Sequence, residues 1–307
     1  MSSSTVQVTA RAPAKINLEL AVGAPRPDGF HELATVFHAV SLFDDVTARP
    51  ADDVRVTVEG PRSAAVPTDE RNLAVRAALL LARRAGIEAG VHLHIRKDIP
   101  VAGGMAGGSA DAAAALLACD ALWHAGLTRD ELAELAAELG SDVPFALLGG
   151  TAIGTGRGER LTPALARGKH HWVIALADGE LSTPTVYAQL DRLRAGRVLP
   201  EPRVSDRLMQ ALRSGDPDAL GAALCNDLQP AAQSLAPGLE RTLAVGLDNG
   251  ALGGLVSGSG PTVVFLVRDH EQAMDLSITL VAVGAVTEVR RAHGPVPGAR
   301  IIEPVAG

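Results

Sequence analysis

The chain has 307 residues, long for a single hydrophobic core and enough for two, and its 47% hydrophobic and 21% charged composition marks a globular protein, not a disordered one. A net charge of −7 without long Lys or Arg runs argues against nucleic acid or an anionic membrane as the main partner, and no apolar run reaches the ~18–20 residues that span a bilayer. The opening MSSSTVQVTARAPAK lacks the apolar core of a signal peptide, and Cys119 and Cys225 both fall in apolar, helix-like stretches, so buried free thiols in a cytoplasmic protein are expected.

In chain order, residues 6–8 and 16–22 read as strands with a break at Ala12-Pro13. Lys15 and Asn17 are two apart, so on a strand they share one face, while Ala14, Ile16 and Leu18 point to the core. The polar pair is either a solvated side or a site. Residues 25–29 are turn chemistry, followed at once by Phe30 and His31. Alternation marks 36–42 and 54–58 as strands. Residues 68–84 read as a helix that carries Asn72 in its first turn and stops at Gly86.

An alternating segment, Val91, Leu93 and Ile95, then leads into IPVAGGMAGGSADAAAALLACD, residues 99–120. Gly103, Gly104, Gly107 and Gly108 are followed by Ser109 and an Ala-rich run with no breaker until Gly126. That order is strand, glycine loop, helix N-terminus. Glycine lets a backbone approach a ligand closely, and the free N–H groups and dipole of a helix start attract an anion. Ser109 can cap the helix or offer its hydroxyl to a phosphate-bound metal. A Walker A loop would carry Lys where Ser109 stands, the G-x-G-x-x-G fingerprint does not fit, and a plain turn has no use for so many glycines.

Residues 128–139 read as a helix with a capping box from Thr128 and Glu131, ended by Gly140. Asp142 stands at the next helix start, with Pro144 early in it, where an acid usually serves as a cap. GGTAIGTGRG, 149–158, mimics a nucleotide fingerprint but reads as a strand with loops, because Pro163 and its neighbours interrupt any helix. A first domain should end near 167–170, with a strand at 172–177 opening a second. LSTPTVY, 181–187, holds the chain's one tyrosine, Tyr187, either packing a helix start or stacking on a ligand. Helices follow at 203–214, 216–224 (Asp216 as cap) and 237–248, then a third glycine segment at 254–260, a strand at 262–267, a helix at 270–283 and a strand at 286–290. The pattern is α+β in two units.

PVAGGMAGGSADAA resembles the phosphate loop of the GHMP kinases, the galactokinase, homoserine, mevalonate and phosphomevalonate kinase superfamily. APAKINLEL (12–20), RPDGFHEL (26–33), GSDVPFAL (140–147) and GLVSGSGPTVV (254–264) occur in the same order in one branch of that family, so the resemblance runs from about residue 8 to about residue 290. It implies the two-domain GHMP kinase architecture. A ribosomal-protein-S5-like domain would cover 1–168 and a ferredoxin-like domain 169–307, with the active site in the cleft between them. It also implies ATP and Mg²⁺. Pro100, Val101, Ala102, Gly103, Gly104, Met105, Ala106, Gly107, Gly108, Ser109 and Ala110 would hold the nucleotide, with Asn72 and Lys97 near it and Ser109 as a Mg²⁺ ligand. Asp142 would be the general base, with Lys15 beside it. Asn17, Phe30, His31, Thr183 and Tyr187 would hold the acceptor, which in that branch is a cytidine diphosphate ester of methylerythritol, phosphorylated on its 2-hydroxyl on the non-mevalonate route to isoprenoids. Phe30 stands where the branch has Tyr, which keeps a ring for stacking but loses the phenol's hydrogen bond. Only Lys15, Lys97 and Lys169 are lysines among 28 basic residues, which singles out the first two as positions that need a compact ammonium. Another small-alcohol kinase of the family would use Arg or Lys forks in place of an aromatic clamp, and a non-catalytic sensor would tend to lose Lys15 or Asp142. The sequence is silent on oligomeric state.

Overall fold

The computed structural model describes residues 6–302 except 102 and 178. The first half contains β1 (Val8–Pro25), β2 (His31–Pro50), β3 (Val54–Glu59), α1 (Leu73–Ala85), β4 (Val91–Arg96), α2 (Gly107–Trp123), α3 (Arg129–Leu139), α4 (Val143–Leu148), β5 (Thr151–Gly156) and β6 (Arg160–Pro163). The second contains β7 (His170–Leu176), α5 (Thr183–Leu193), α6 (Asp206–Ser214), α7 (Pro217–Ala223), β8 (Cys225–Asn226), α8 (Gln229–Leu235), α9 (Gly238–Asp248), β9 (Gly253–Val256), β10 (Val263–Val267), α10 (His270–Ala282), β11 (Glu288–Gly294) and β12 (Arg300–Ile302).

The long β1–β2 hairpin is the spine of the first sheet, ordered β12–β1–β2–β4–β3, with β5 and β6 continuing from β2 and β8 joining β1. The expected break at Ala12-Pro13 is a register shift between Pro13 and Ala14 inside one continuous strand, because a bulge absorbs the N–H that proline lacks. The second sheet is ordered β11–β7–β10–β9 and antiparallel throughout, the ferredoxin-like β-α-β-β-α-β arrangement. Its two faces are both covered. Trp172, Ile174 and Leu176 of β7 join the core beneath the first sheet, while Val173 and Ala175 pack under α5, α8, α9 and α10. The chain after 169 also returns to the first sheet, through β8 and β12.

Helix α2 is apolar all round because it is enclosed: Ala110, Ala112, Ala113, Ala114, Ala115, Leu116, Ala118 and Cys119 are fully buried against β1, β2 and α1. Alanine allows that close approach. The capping box of α3 and the Asp216 cap of α7 form as expected. Three expectations need correction. Helix α1 begins at Leu73 and not at 68, with Asn72 outside it as the N-cap, accepting from the Ala74 N–H. Residues 254–256, expected in a glycine segment, belong to β9, and only 257–260 turn. Cys225 is exposed on a two-residue strand, unlike buried Cys119. The helix start read around Tyr187 is α5, Thr183–Leu193, with Pro184 in its first turn, where its missing N–H costs nothing, and with Val186 and Leu190 buried. Among the described residues no helix is long and apolar enough to cross a membrane.

Candidate active site

Lys15 projects from β1. Its Nζ donates to Asn17 Oδ1 at 2.8 Å and lies 3.7 Å from Asp142 Oδ2. Asn17 Nδ2 in turn donates to Thr35 Oγ1, which donates to the Glu19 carbonyl, so the lysine is held from below. The Lys15 side chain is 9% exposed and that of Asp142 32%: the ammonium is fixed and the carboxylate faces open space. The polar pair on β1 is therefore buried, not a solvated side. Asp142 stands at the N-cap of α4, but its backbone is already helical and its side chain makes no cap hydrogen bond. The carboxylate makes no capping bond and lies beside the Lys15 ammonium.

Opposite this pair lies the start of α2. The N-cap is Ala106 in the left-handed region (φ 59°), with no side-chain cap and no acidic residue in the first turn. Ser109, expected as a cap, is instead inside the first turn and faces the cavity. The positive end of a 17-residue helix is thus left unquenched beside Asp142 and Lys15. The glycines have different reasons. Gly104 has φ +69° and its missing Cβ would lie 2.6 Å from the Ser257 carbonyl, so it lets the loop close onto the 257–260 turn. A Cβ on Gly107 would meet Ile99 and the Lys97 ammonium, both at 3.2 Å, which is packing behind the loop and not approach to a ligand.

The second unit supplies the other wall. Asn226 Nδ2 donates to the carbonyls of Val256 and Gly258, both at 2.7 Å, and so holds the 257–260 turn against Lys15 and Asn17. Thr183 Oγ1 meets Ser259 Oγ at 2.9 Å. The ring of Tyr187 lies 4.9 Å from that of His31, tilted by 38°, and His31 Nε2 is 2.9 Å from Asp191 Oδ1. Burial, with the Asp142 charge adding to it, raises the Tyr187 hydroxyl above its ordinary pKa, so it stays a neutral donor. Phe30 stands at the rim, half exposed, with the Arg157 guanidinium 5.0 Å from its ring centre.

One cavity of about 660 Å³ joins these parts and brings together ten of the expected residues: Lys15, Asn17, Phe30, His31, Gly104, Ala106, Ser109, Asp142, Thr183 and Tyr187. It does not include the rest. Asn72 Oδ1 caps α1 while its Nδ2 donates to the Pro67 carbonyl. Lys97 is buried behind the loop, 2.5 Å from Asp44 and 2.8 Å from Asp111, so its charge is engaged inside the protein. Pro100 and Val101 line a separate pocket of about 20 Å³ with Lys97. Gly103, Met105 and Ala110 are buried, Gly107 and Gly108 lie outside the cavity lining, and Ala102 lies outside the described residues. Arg157, Asp191, Ser259 and the Asn226 brace were not anticipated; Asp191 follows Tyr187 by one helical turn, a spacing visible only once α5 is known to be a helix. Among the described residues no group of three or more His, Cys, Asp or Glu side chains forms a metal site.

The sequence of residues 72–150 matches the family model described as GHMP kinases N terminal domain, and residues 208–276 match GHMP kinases C terminal. The chain is 59% identical over 297 residues to a 4-diphosphocytidyl-2-C-methyl-D-erythritol kinase from Streptomyces avermitilis, covering 97% of this chain and all of that protein. The chain belongs to the GHMP kinases. Its relatives of the same printed name include one from Thermobifida fusca, 56% identical over 98% of this chain and all of the other. A crystal structure of 4-(cytidine 5'-diphospho)-2C-methyl-D-erythritol kinase superposes with a TM-score of 0.75 at 34% identity, covering 93% of this chain and 98% of that one. A homoserine kinase from Cytophaga hutchinsonii, 21% identical over 98% of this chain and 99% of its own, shares the fold at a TM-score of 0.74. For this GHMP kinase chain, the first family segment holds the glycine loop and Asp142, and the second holds the 257–260 turn.

Proposed function

We propose that this chain transfers the terminal phosphoryl group of ATP to the 2-hydroxyl of 4-diphosphocytidyl-2-C-methyl-D-erythritol. The observation that carries it is the Lys15–Asp142 pair, 3.7 Å apart, set in one cavity between an open helix N-terminus and the His31–Tyr187 ring pair. The relatives that bear this substrate's name at 56–59% identity support it. In this reading residues 1–168 hold the nucleotide and 169–307 supply the acceptor's second wall.

Phosphoryl transfer asks for positioning and charge stabilisation more than for covalent chemistry. The N–H groups at the start of α2 would hold the ATP phosphates. Asp142 would accept the proton of the attacking hydroxyl, as its free carboxylate allows. Lys15 would steady the charge on the moving group. The Ser109 hydroxyl suits Mg²⁺, and with no acidic cluster among the described residues the other ligands would come from phosphate and water. Bound there, the ion would neutralise phosphate charge. His31 and Tyr187 would receive the cytosine, with Phe30 closing the rim.

A coupled ADP-release assay compares this ester with mevalonate, phosphomevalonate and homoserine. Turnover confined to the cytidine ester is expected. A preference for any of the other three acceptors would overturn the assignment.

A further inference from the structure

Helix α5 carries Tyr187 and Asp191, with Arg194 at its C-cap, a spacing that sets all three on one face, toward the β1–β2 hairpin. The first two meet His31 in the cavity. Arg194 meets β1 outside it. Its Nη1 donates to the Val22 carbonyl at 2.6 Å, and its Nη2 lies 2.9 Å from Asp227 Oδ2. The same Asp227 oxygen accepts the Val22 N–H at 2.8 Å. One ion pair therefore takes both polar groups of Val22, and the edge of β1 explains why. Strand β8 pairs with β1 at Glu19 and Leu20, and the next backbone bond runs from the Asp227 N–H to the Leu20 carbonyl at 2.9 Å. Where β8 stops, the two side chains supply the following rung, so the edge groups of Val22 are satisfied. The Arg194 side chain is 19% exposed and that of Asp227 32%. Partial shielding and a two-pronged grip set this pair apart from a loose surface ion pair, which contributes little.

We infer that Arg194 and Asp227 are positioning residues: a staple behind the acceptor side of the cavity that fixes the spacing of His31 and Tyr187. The staple joins three segments that wall the cavity. Val22 belongs to the hairpin that returns at Phe30 and His31. Arg194 ends the helix that presents Thr183 and Tyr187. Asp227 follows Asn226, whose amide holds the 257–260 turn. The hairpin and the helix come from opposite halves of the chain, and α5 packs on the second core through Val186 and Leu190, not on the hairpin. A tie at the end of α5 stops the helix from drifting away from His31, and a displacement on the order of 1 Å is enough to spoil a bound geometry. The effect on the acceptor rests on the function proposed above, while the staple rests on its own bonds.

The test uses the full chain with Arg194→Met, Asp227→Asn and the double variant. Tyr187 is the chain's single tyrosine, so ring-labelled tyrosine reports that residue alone by NMR. In each single variant its ring signals should move toward those of free tyrosine as the His31 ring slips out of register. In the ADP-release assay each should raise the acceptor KM about fivefold, the scale of one charge-assisted bond in a partly exposed position, with the ATP KM within about twofold. Two independent losses would multiply to about 25-fold, whereas one staple breaks once, so the double variant should stay below about tenfold. A lower Tm with the tyrosine signals and the acceptor KM unmoved would show that the pair only stabilises the fold, and would overturn the inference. So would an equal rise in the ATP KM, or multiplied effects in the double variant. An unmodified protein that leaves the cytidine ester untouched refutes the proposed substrate, and the tyrosine signals then decide the staple by themselves.

Discussion

Replacing Lys97 with Met keeps the length of the side chain and removes the ammonium between Asp44 and Asp111. Those carboxylates are 0% and 2% exposed, so neither can turn to water when the charge is gone. Removing one partner of a buried ion pair costs ~3–5 kcal/mol. Two features of the cluster point to the lower end of that range. Asp44 keeps the backbone N–H groups of Asp98 and Ile99, at 2.7 and 2.9 Å. Asp111 can carry a proton: burial pushes its carboxyl well above the ordinary range, Lys97 pulls it back and Asp44 pushes it further. A loss of about 3 kcal/mol is a large part of the roughly 5–15 kcal/mol that holds a domain folded, and at ~2–4 °C per kcal/mol it lowers Tm by about 6–12 °C. Because Asp44 anchors the entry to the glycine loop and Asp111 lies in α2, the same change should loosen the loop and raise the ATP KM. Thermal melting followed by circular dichroism, with ADP release at varied ATP, measures both. A Tm within about 1 °C of the unmodified protein would refute the structural role. An ATP KM that rises with Tm unchanged would return Lys97 to direct contact with the nucleotide.

Asp142→Asn keeps the shape of the side chain and should lower kcat by ~10²–10⁴ with ATP binding intact; near-normal turnover would remove Asp142 as the base. Tyr187→Ala should raise the acceptor KM on the order of tenfold to a hundredfold, from the ~1–3 kcal/mol of one stacked base, and leave the ATP KM alone; a change in the ATP constant instead would break the clamp assignment. The third prediction is a slope in pH. The Asp111 carboxyl is raised to about 8, so between the ordinary carboxylate range and pH 8 the folded protein holds a proton that the unfolded chain has lost, and stability falls as pH rises, by at most about 1.4 kcal/mol per pH unit. His38 acts in the opposite sense: burial, with the neighbouring His170 adding to it, lowers its imidazole to about 3, so its contribution is lost as pH falls below about 6.5. Between pH 6.5 and 8 only the Asp111 slope remains of these two, so Tm should decline there, and Asp111→Asn should flatten the decline; an equally steep decline in that variant would show that another group carries it.

Much of the site's backbone was legible because it is local. A glycine loop before an Ala-rich run announces a helix start whose N–H groups are open, and the alternation of β1 puts Lys15 and Asn17 on one face whatever the rest of the chain does. The capping box of α3 and the Asp216 cap of α7 are likewise contacts within one turn. The proposed base and clamp came from resemblance to a family, since no spacing in the chain could supply them.

What a side chain does with its charge was decided by distant packing. Lys97 reads like a nucleotide contact because it flanks the loop, yet Asp44, 53 residues earlier, faces it in the fold and buries it. Asp142 sits where caps sit, but the helical backbone geometry at that residue turns its carboxylate away from the α4 N–H groups and leaves it beside Lys15, which comes from a strand at the other end of the domain. His31 and Asp191 lie 160 residues apart, and Arg157 lies in a turn that reads as plain loop; both meet the cavity only because two sheets share a core and bring their loops to one edge. Periodicity and caps are properties of a few neighbouring residues, and so the sequence determined them. The partner of a buried charge and the walls of a cavity are properties of the packing, and only the tertiary structure decided those.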